Sequence, residues 1–181
     1  KAAKELYEDY RFYDKNVYYY PAKDLLFFQA DIHGNLLIRQ RMQVIQALLE
    51  REEVTVFTSI DGCMDYLMPL DKIQNRVLHF YNDSVIDMEQ LKKSLVELGY
   101  ERVGQVEMPG QFSVRGGIVD IYSLTEENPW RIELWGDEVD SIRSFDAESQ
   151  RSLDNLEEIM IYPAAEKTLD KGMVSFLDYF P

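Results

Sequence analysis

The segment that most constrains the fold lies between residues 99 and 163, where short β-rich runs alternate with turn-forming residue pairs. The pairs are Pro109-Gly110, Gly116-Gly117 and Asn128-Pro129. Connections this short join antiparallel neighbours, because parallel strands need a crossover of a dozen or more residues. We therefore predict an antiparallel sheet with strands at 103–108, 111–115, 118–123, 130–135, 138–145 and 159–163.

One helix is predicted to precede these strands. Asp87 followed by Gln90 resembles a capping box, and Gly99 stands where a helix ending at Leu98 would place its C′ residue. The apolar spacing of the segment between them is helical. Residues 84–163 are thus predicted to form an α+β domain with one helix on one face of the sheet.

Residues 1–83 have a different predicted pattern of secondary structure, in which strands and helices alternate. A first helix is predicted at 1–10, and an order typical of α/β lobes with parallel sheets follows it. The predicted elements are a strand at 16–21, a helix at 36–51 capped by Asn35, a strand at 54–59, a helix at 61–68 ended by Pro69, and a strand at 76–81. This is the layout of a nucleotide-binding lobe.

Charge and cysteine content exclude several classes of protein. The 181 residues include 33 acidic and 19 basic side chains, for a net charge of -14. The negative electrostatic field of such a chain repels the phosphate backbone, which disfavours nonspecific binding to nucleic acid. Cys63 is the single cysteine, which excludes an internal disulfide and indicates a reducing compartment. No segment has the pattern of a membrane span or a signal peptide, and both ends are interpreted as cut from a longer chain.

The motifs of catalysis are missing from the sequence. No segment fits the phosphate-binding pattern G-x-x-x-x-G-K-[ST], and Gly116-Gly117 sits between strands, which favours turn geometry. His33 and His79 lie apart from any cysteine pair, and Cys63 has no visible base. The acidic residues 137, 138 and 140 could bind a divalent ion or a basic partner, or form a solvated edge. We therefore expect no catalytic residue, no metal and no cofactor.

Alternation along the strand at 130–135 singles out one face of the sheet. Ile132 and Leu134 share the predicted core face, whereas Arg131, Glu133 and Trp135 share the other face. Trp and Arg are the residue types most enriched in protein-binding hot spots. The pattern is compatible with a docking surface, and equally with a Trp that covers the sheet edge while Arg131 forms ion pairs in solvent.

The strand at 111–115 repeats the same alternation. Phe112 and Val114 are predicted to point into the core, and Ser113 and Arg115 to point outward. Arg115 would then join Arg131 and Trp135 on one face.

The longest signature in the sequence carries a resemblance to a known family. It runs through Gly99-Tyr100, 105–107, 109–112, 114–121, 131–134, 137–139, 141–146 and 162–164. It closely resembles the N-terminal UvrB-like module of the bacterial transcription-repair coupling factors, the Mfd family. The repair helicase UvrB has a looser form of the same signature.

The resemblance implies a fold and a domain order. In the family, a degenerate helicase-like parallel-sheet lobe without working ATPase motifs carries an inserted antiparallel α+β domain. Residues 1–83 would be that lobe, truncated at its start, 84–163 the inserted domain, and 164–181 a remnant of the following lobe segment. The segment between Ala164 and Phe176 is shorter than in family members.

The resemblance also implies a partner. The family's inserted domain binds UvrA through two arginines and an aromatic residue, which match Arg115, Arg131 and Trp135 here, although Phe is commoner at the last position. RNA polymerase and DNA would be reached only through the rest of a cytoplasmic, ATP-dependent DNA translocase. The chain itself would not be an enzyme. The alternatives are a fragment of a UvrB-type helicase and a structural lobe that restrains the parent motor.

Overall fold

The computed structural model describes residues 2–23, 31–50, 53–166 and 171–180, with the side chains of 31–35 left out. The chain divides into two compact units. Unit 1 comprises Lys1–Asn75 and Glu166–Pro181, and unit 2 comprises Arg76–Ala165. The described residues are mixed α and β, and strand pairing is mostly antiparallel.

Unit 1 is built from short strands and five helical segments in its described part. In chain order the elements are α1 (Ala2–Tyr10), β1 (Val17–Tyr20), α2 (Asp31–Glu50), β2 (Thr55–Thr58), α3 (Ile60–Cys63), β3 (Tyr66–Leu67) and α4 (Leu70–Gln74), with β12 (Val174–Ser175) and a 3-10 helix (Phe176–Tyr179) at the C-terminal end. Strands β1 and β2 pair in parallel with α2 between them in sequence, as predicted for this segment. Strand β3 pairs antiparallel with β12.

A fully buried arginine occupies the centre of unit 1. The Arg41 guanidinium donates to Asp65 Oδ2 at 2.5 Å, to the Pro21 carbonyl at 2.7 Å and to both carboxylate oxygens of Glu166. It also lies over the Tyr20 ring, 4.2 Å from the ring centroid. A buried charge is tolerable only when it is paired in this way.

Unit 2 contains one helix and eight strands among its residues, all of which the structure describes. The elements are β4 (Leu78–Tyr81), α5 (Met88–Glu97), β5 (Glu101–Arg102), β6 (Gln111–Arg115), β7 (Ile118–Ile121), β8 (Trp130–Trp135), β9 (Glu138–Phe145), β10 (Ser152–Leu156) and β11 (Glu158–Ile161). The bounds predicted for β6, β8 and β9 are confirmed.

The six-stranded sheet of unit 2 has the order β10-β9-β8-β7-β6-β5, antiparallel except for β5 and β6. Val119, Ile132 and Ile142 are cross-strand partners, and each is at most 1% exposed. Such rows of β-branched side chains are the main stabilising unit of a sheet. The predicted antiparallel pairing of the strands that begin at 111, 118, 130 and 138 is therefore confirmed, and so is the placement of Phe112 and Ile132 in the core. The strand predicted at 159–163 corresponds to β11, which pairs with β4 and does not belong to this sheet.

Helix α5 begins and ends where the sequence predicts. The Asp87 carboxylate accepts a hydrogen bond from the Gln90 backbone, and Gly99 adopts a φ of +94° beyond the C-cap. The reciprocal half of the capping box is wrong, because the Gln90 amide donates to Ser94 Oγ at 3.4 Å instead. The helix start therefore depends on Asp87 alone.

The predicted third parallel strand is wrong. Within the run at 76–81, β4 pairs antiparallel with β11 and lies in unit 2. The same hydrophobic run suits either strand direction, and its partner follows it by almost eighty residues. Burial alternates along β4 in the same way whichever partner it takes, so the local pattern does not specify the pairing.

The strand predicted at 103–108 is also wrong. Strand pairing stops at Arg102, and the backbone N–H groups of Glu107 and Met108 donate to Gln111 Oε1 at 3.0 and 3.1 Å. A side-chain acceptor here replaces the ladder partner that a strand would supply.

Three further local predictions differ from the structure. The helix predicted at 61–68 stops at Cys63, and Pro69 precedes α4 as its N-cap instead of ending a helix. Helix α2 begins at Asp31, so Asn35 lies inside the helix and does not cap it; Asn lowers helix stability only modestly. His33, which precedes the helix predicted at 36–51, likewise lies within α2. None of the described helices is both long enough and apolar enough to cross a bilayer.

Candidate functional site

The side of the six-stranded sheet opposite Val119, Ile132 and Ile142 is the candidate site, and we call it the outer face. Strand register aligns two rows of side chains on it. The first row is Ser113, Asp120, Arg131 and Arg143, and the second is Arg115, Ile118, Glu133 and Ser141. Because side chains alternate across a strand, Trp135 of β8 lies on the same face as Arg131 and Glu133.

A buried carboxylate lies at the centre of the outer face. Asp120 is 0% exposed. Its Oδ1 accepts from Arg131 Nε at 2.7 Å, and its Oδ2 accepts from Arg131 Nη2 at 2.8 Å. Arg115 Nη2 donates to the same Oδ2 at 3.1 Å. Two arginines of the predicted site therefore share one carboxylate.

Arg131 is the more enclosed of the two arginines. Its guanidinium lies 4.4 Å from the centroid of the Phe145 ring and donates to Gln150 Oε1 at 3.2 Å. Only 15% of its side chain is exposed. Hydrogen bonding to Asp120 raises the pKa of Arg131 above its usual value, so the charge is permanent at any physiological pH. Arg131 lies on the predicted face of the sheet, but its pairing with Asp120 leaves only a small part of the side chain exposed.

Arg115 and Trp135 are the accessible members of the predicted site. The side chain of Arg115 is 51% exposed, and Trp135 is 85% exposed. The other tryptophan, Trp130, is 7% exposed and belongs to the core. The predicted exposure of Trp135 on a polar face is therefore confirmed.

Two hairpin turns place Arg115 and Trp135 at the same end of the sheet. Arg115 is the last residue of β6 before the Gly116-Gly117 turn, and Trp135 is the last residue of β8 before the turn at Gly136. Gly117 has no room for a side chain, because a Cβ atom there would lie 2.9 Å from the Leu134 carbonyl oxygen. The close approach of the two hairpins therefore requires glycine at this position.

Ser113 differs from its prediction. It was expected on the wet face, but it is 1% exposed, and its Oγ has no hydrogen-bond partner among the described residues. Its cross-strand neighbour is Asp120, the buried carboxylate to which Arg115 and Arg131 donate. The outer face is thus covered at its centre and open near Arg115 and Trp135.

Sequence reasoning missed the groups that hold the arginines. Asp120 and Gln150 contact Arg131, and Glu133 forms an ion pair with Arg143. The available signal was an aspartate at an outward position of the apolar run at 118–121. Nothing in the sequence indicated that Gln150 contacts Arg131, because Gln150 lies in a loop, with a φ of +61°, outside the strand alternation.

The remaining chemical candidates stay separate from the outer-face cluster. His79 pairs with Glu158 at 2.6 Å on the exposed side of the β4–β11 sheet. Asp137, Glu138 and Asp140 are exposed around the β8–β9 turn. Across the described ranges, no group of three or more His, Cys, Asp or Glu side chains is arranged to hold a metal ion.

The match to a domain family covers the strands that form this face. Residues 78–166 match the family described as the UvrB interaction domain. The fold and the match together define this part of the chain as a protein-interaction domain of UvrB type.

Relatives extend the similarity to most of the chain. The transcription-repair-coupling factor of Bacillus subtilis (strain 168) is 41% identical over 153 residues, which cover 84% of this chain and 13% of the relative. That of Staphylococcus aureus (strain MRSA252) is 35% identical over 163 residues, which cover 90% of this chain and 14% of the relative. This chain belongs to the family of UvrB-like modules of the transcription-repair-coupling factors. It spans about a seventh of the length of these relatives.

Proposed function

We propose that this chain is a protein-docking module that binds UvrA and thereby brings nucleotide excision repair to a stalled RNA polymerase. The single observation that carries the proposal is an accessible Trp135 with Arg115 at one end of a sheet face, within a UvrB interaction domain. Trp and Arg are the residue types that dominate hot spots.

The proposed UvrA-binding residues are Arg115, Arg131 and Trp135. Trp135 supplies apolar area that is wet in the free chain, and its burial in a complex would be favourable. Arg115 supplies a half-exposed cation that suits a carboxylate or a carbonyl group of the partner. Arg131 shares the Asp120 carboxylate with Arg115 and offers the partner only the small exposed part of its guanidinium group.

The chain is proposed to have no catalytic activity of its own. Unit 1 is proposed as a degenerate helicase-like lobe, an assignment supported by the parallel β1–β2 pair and the α2 crossover. Contacts with RNA polymerase and DNA, and the ATP-dependent translocation that moves the parent protein, are assigned to the rest of that protein. The names of the relatives favour this assignment over a UvrB-type helicase fragment.

The experiment is a calorimetric titration of this chain, and of two variants, with purified UvrA. Trp135→Ala and Arg115→Ala are each expected to weaken binding about thirtyfold, because truncating a hot spot costs about 2 kcal/mol or more. Far-UV circular dichroism should remain unchanged, since neither truncation opens a core cavity.

Matched controls separate docking from general effects of surface truncation. Phe12 in unit 1 is 84% exposed, close to the 85% of Trp135, so Phe12→Ala removes a comparable aromatic elsewhere. Arg102→Ala does the same for an exposed arginine on the edge strand β5. Both controls should bind UvrA like the unchanged chain. Equal affinity of Trp135→Ala and Phe12→Ala would refute the docking assignment.

A further inference from the structure

We propose that Asp120 is a positioning residue of the docking surface: its carboxylate, with the Gln150 carboxamide, holds Arg131 and Arg115 in the orientation that the partner binds. The inference rests on the proposed function and adds a residue that touches no partner itself. Asp120 has no exposed surface, so it acts through the arginines that cover it.

The charge balance of the cluster supports this role. Two guanidinium groups carry +2 and Asp120 carries −1, so the cluster has a net charge of +1 in a chain whose net charge is -14. Arg115 presents that excess charge to solvent, since half of its side chain is exposed. A cluster with net positive charge in a chain of net negative charge is a specific feature for a partner to recognise.

A stable sheet does not in general require a buried carboxylate such as Asp120. Its neighbours Val119 and Ile121 are core residues, and buried ion pairs are often replaceable by apolar residues without loss of stability. What the carboxylate adds is geometry, because both of its oxygens accept from Arg131 and one accepts also from Arg115. A long flexible side chain that is already ordered loses less entropy when a partner binds it.

Gln150 adds a second acceptor for the Arg131 guanidinium. Its Oε1 accepts from Arg131 Nη2 at 3.2 Å, and its Nε2 donates to the Ala147 carbonyl at 2.7 Å. The residue keeps a φ of +61°, a region in which side chains larger than glycine are uncommon. The loop therefore places an amide on the Arg131 guanidinium while Asp120 holds two of its nitrogens.

The test is a double-mutant cycle on UvrA binding by this chain. Asp120→Asn keeps the shape of the side chain but places an amide donor against a guanidinium, and we expect affinity to fall about tenfold. Combined with Arg115→Ala, the loss should be clearly smaller than the product of the two single losses, because both changes act on the same group. Glu157→Gln, which removes one exposed carboxylate of unit 2, should leave binding unchanged.

The outcomes separate this inference from the proposed function. If Trp135→Ala weakens binding while Asp120→Asn does not, docking stands and the positioning role is wrong. Full additivity of Asp120→Asn and Arg115→Ala also overturns the positioning role, since a general structural effect would add. If the unchanged chain does not bind UvrA, the proposed function fails and this inference fails with it.

A second variant covers the case in which Asp120→Asn does not fold. Gln150→Gly removes the amide from Arg131 and suits a positive φ, so it should not strain the loop. We expect it to weaken UvrA binding about threefold through the lost hydrogen bond. A folded Gln150→Gly chain with unchanged affinity overturns the inference.

Discussion

At the scale of single residues, position on the outer face does not by itself determine exposure. Arg115, Arg131 and Trp135 lie on one side of the sheet, yet Trp135 is 85% exposed while the side chain of Arg131 is 15% exposed. The difference arises from Asp120, which draws the Arg131 guanidinium down onto the sheet. An outward-pointing residue can therefore contribute to stability as well as to binding.

Truncating Arg131 is accordingly expected to destabilise the folded chain more than truncating Arg115. Arg131→Ala leaves a buried carboxylate with one partner, and breaking such a pair costs roughly 3 kcal/mol. Arg115→Ala removes a half-exposed partner and should cost no more than about 1 kcal/mol. Urea denaturation followed by circular dichroism measures both. Equal and small losses would show that Asp120 does not depend on Arg131.

At the scale of elements, helix α5 shows how one terminus combines local and tertiary constraints. Gly99 has a φ of +94°, which the end of a helix favours for glycine. A Cβ atom at this position would also lie 2.6 Å from the Cβ of Ala165 and 3.1 Å from its backbone nitrogen. The sequence predicts the first constraint, and only the fold creates the second.

Gly99→Ala is therefore expected to destabilise the chain by more than about 1 kcal/mol, because the strained φ and the close contact with Ala165 act together. Gly104 is the matched control, because a Cβ there would meet nothing within 4 Å and its φ is not positive. Gly104→Ala should be neutral or stabilising by about 0.4–1 kcal/mol. Thermal unfolding of the two variants tests the contrast, and similar melting temperatures would contradict it.

At the scale of the whole molecule, the chain leaves unit 1 after Asn75 and returns to it at Glu166. Glu166, the first residue of the returning segment, forms an ion pair with buried Arg41, and Lys23 Nζ lies 2.6 Å from the same carboxylate. Burial opposes ionisation of Glu166, but hydrogen bonds and attraction from Arg41 and then Lys23 outweigh it and hold its pKa below the ordinary value. The ion cluster thus attaches a distant segment to the unit.

This attachment should make the stability of unit 1 depend on pH. Because the folded pKa of Glu166 is lowered, its stabilisation is complete above the unfolded pKa of about 4.3 and declines as pH falls through the folded value. Glu166→Gln should lower stability at pH 7 and should reduce the further loss between pH 5 and 3. Chemical denaturation across this range provides the measurement. Parallel pH profiles for the two chains would contradict the assignment.

Much of the outer face followed from the sequence. Alternation along β8 placed Ile132 in the core and Trp135 outside, and the turn pairs set the bounds of β6, β8 and β9. These features depend on contacts between residues that are close in sequence, such as a two-residue period or a turn that needs glycine. Asp87 and Gly99 bound α5 for the same reason.

What remained undetermined involves partners that are far apart in the chain. Strand β4 pairs with β11, Arg41 pairs with Glu166, and Arg131 lies between Asp120 and Gln150. A run of alternating burial is satisfied equally by a parallel or an antiparallel neighbour, and an arginine by any carboxylate within reach. The sequence by itself determined which residues leave the sheet on the outer face. Only the tertiary structure decided which of these side chains are covered and which are exposed, because their exposure depends on contacts with residues such as Asp120 and Gln150 that folding places next to them.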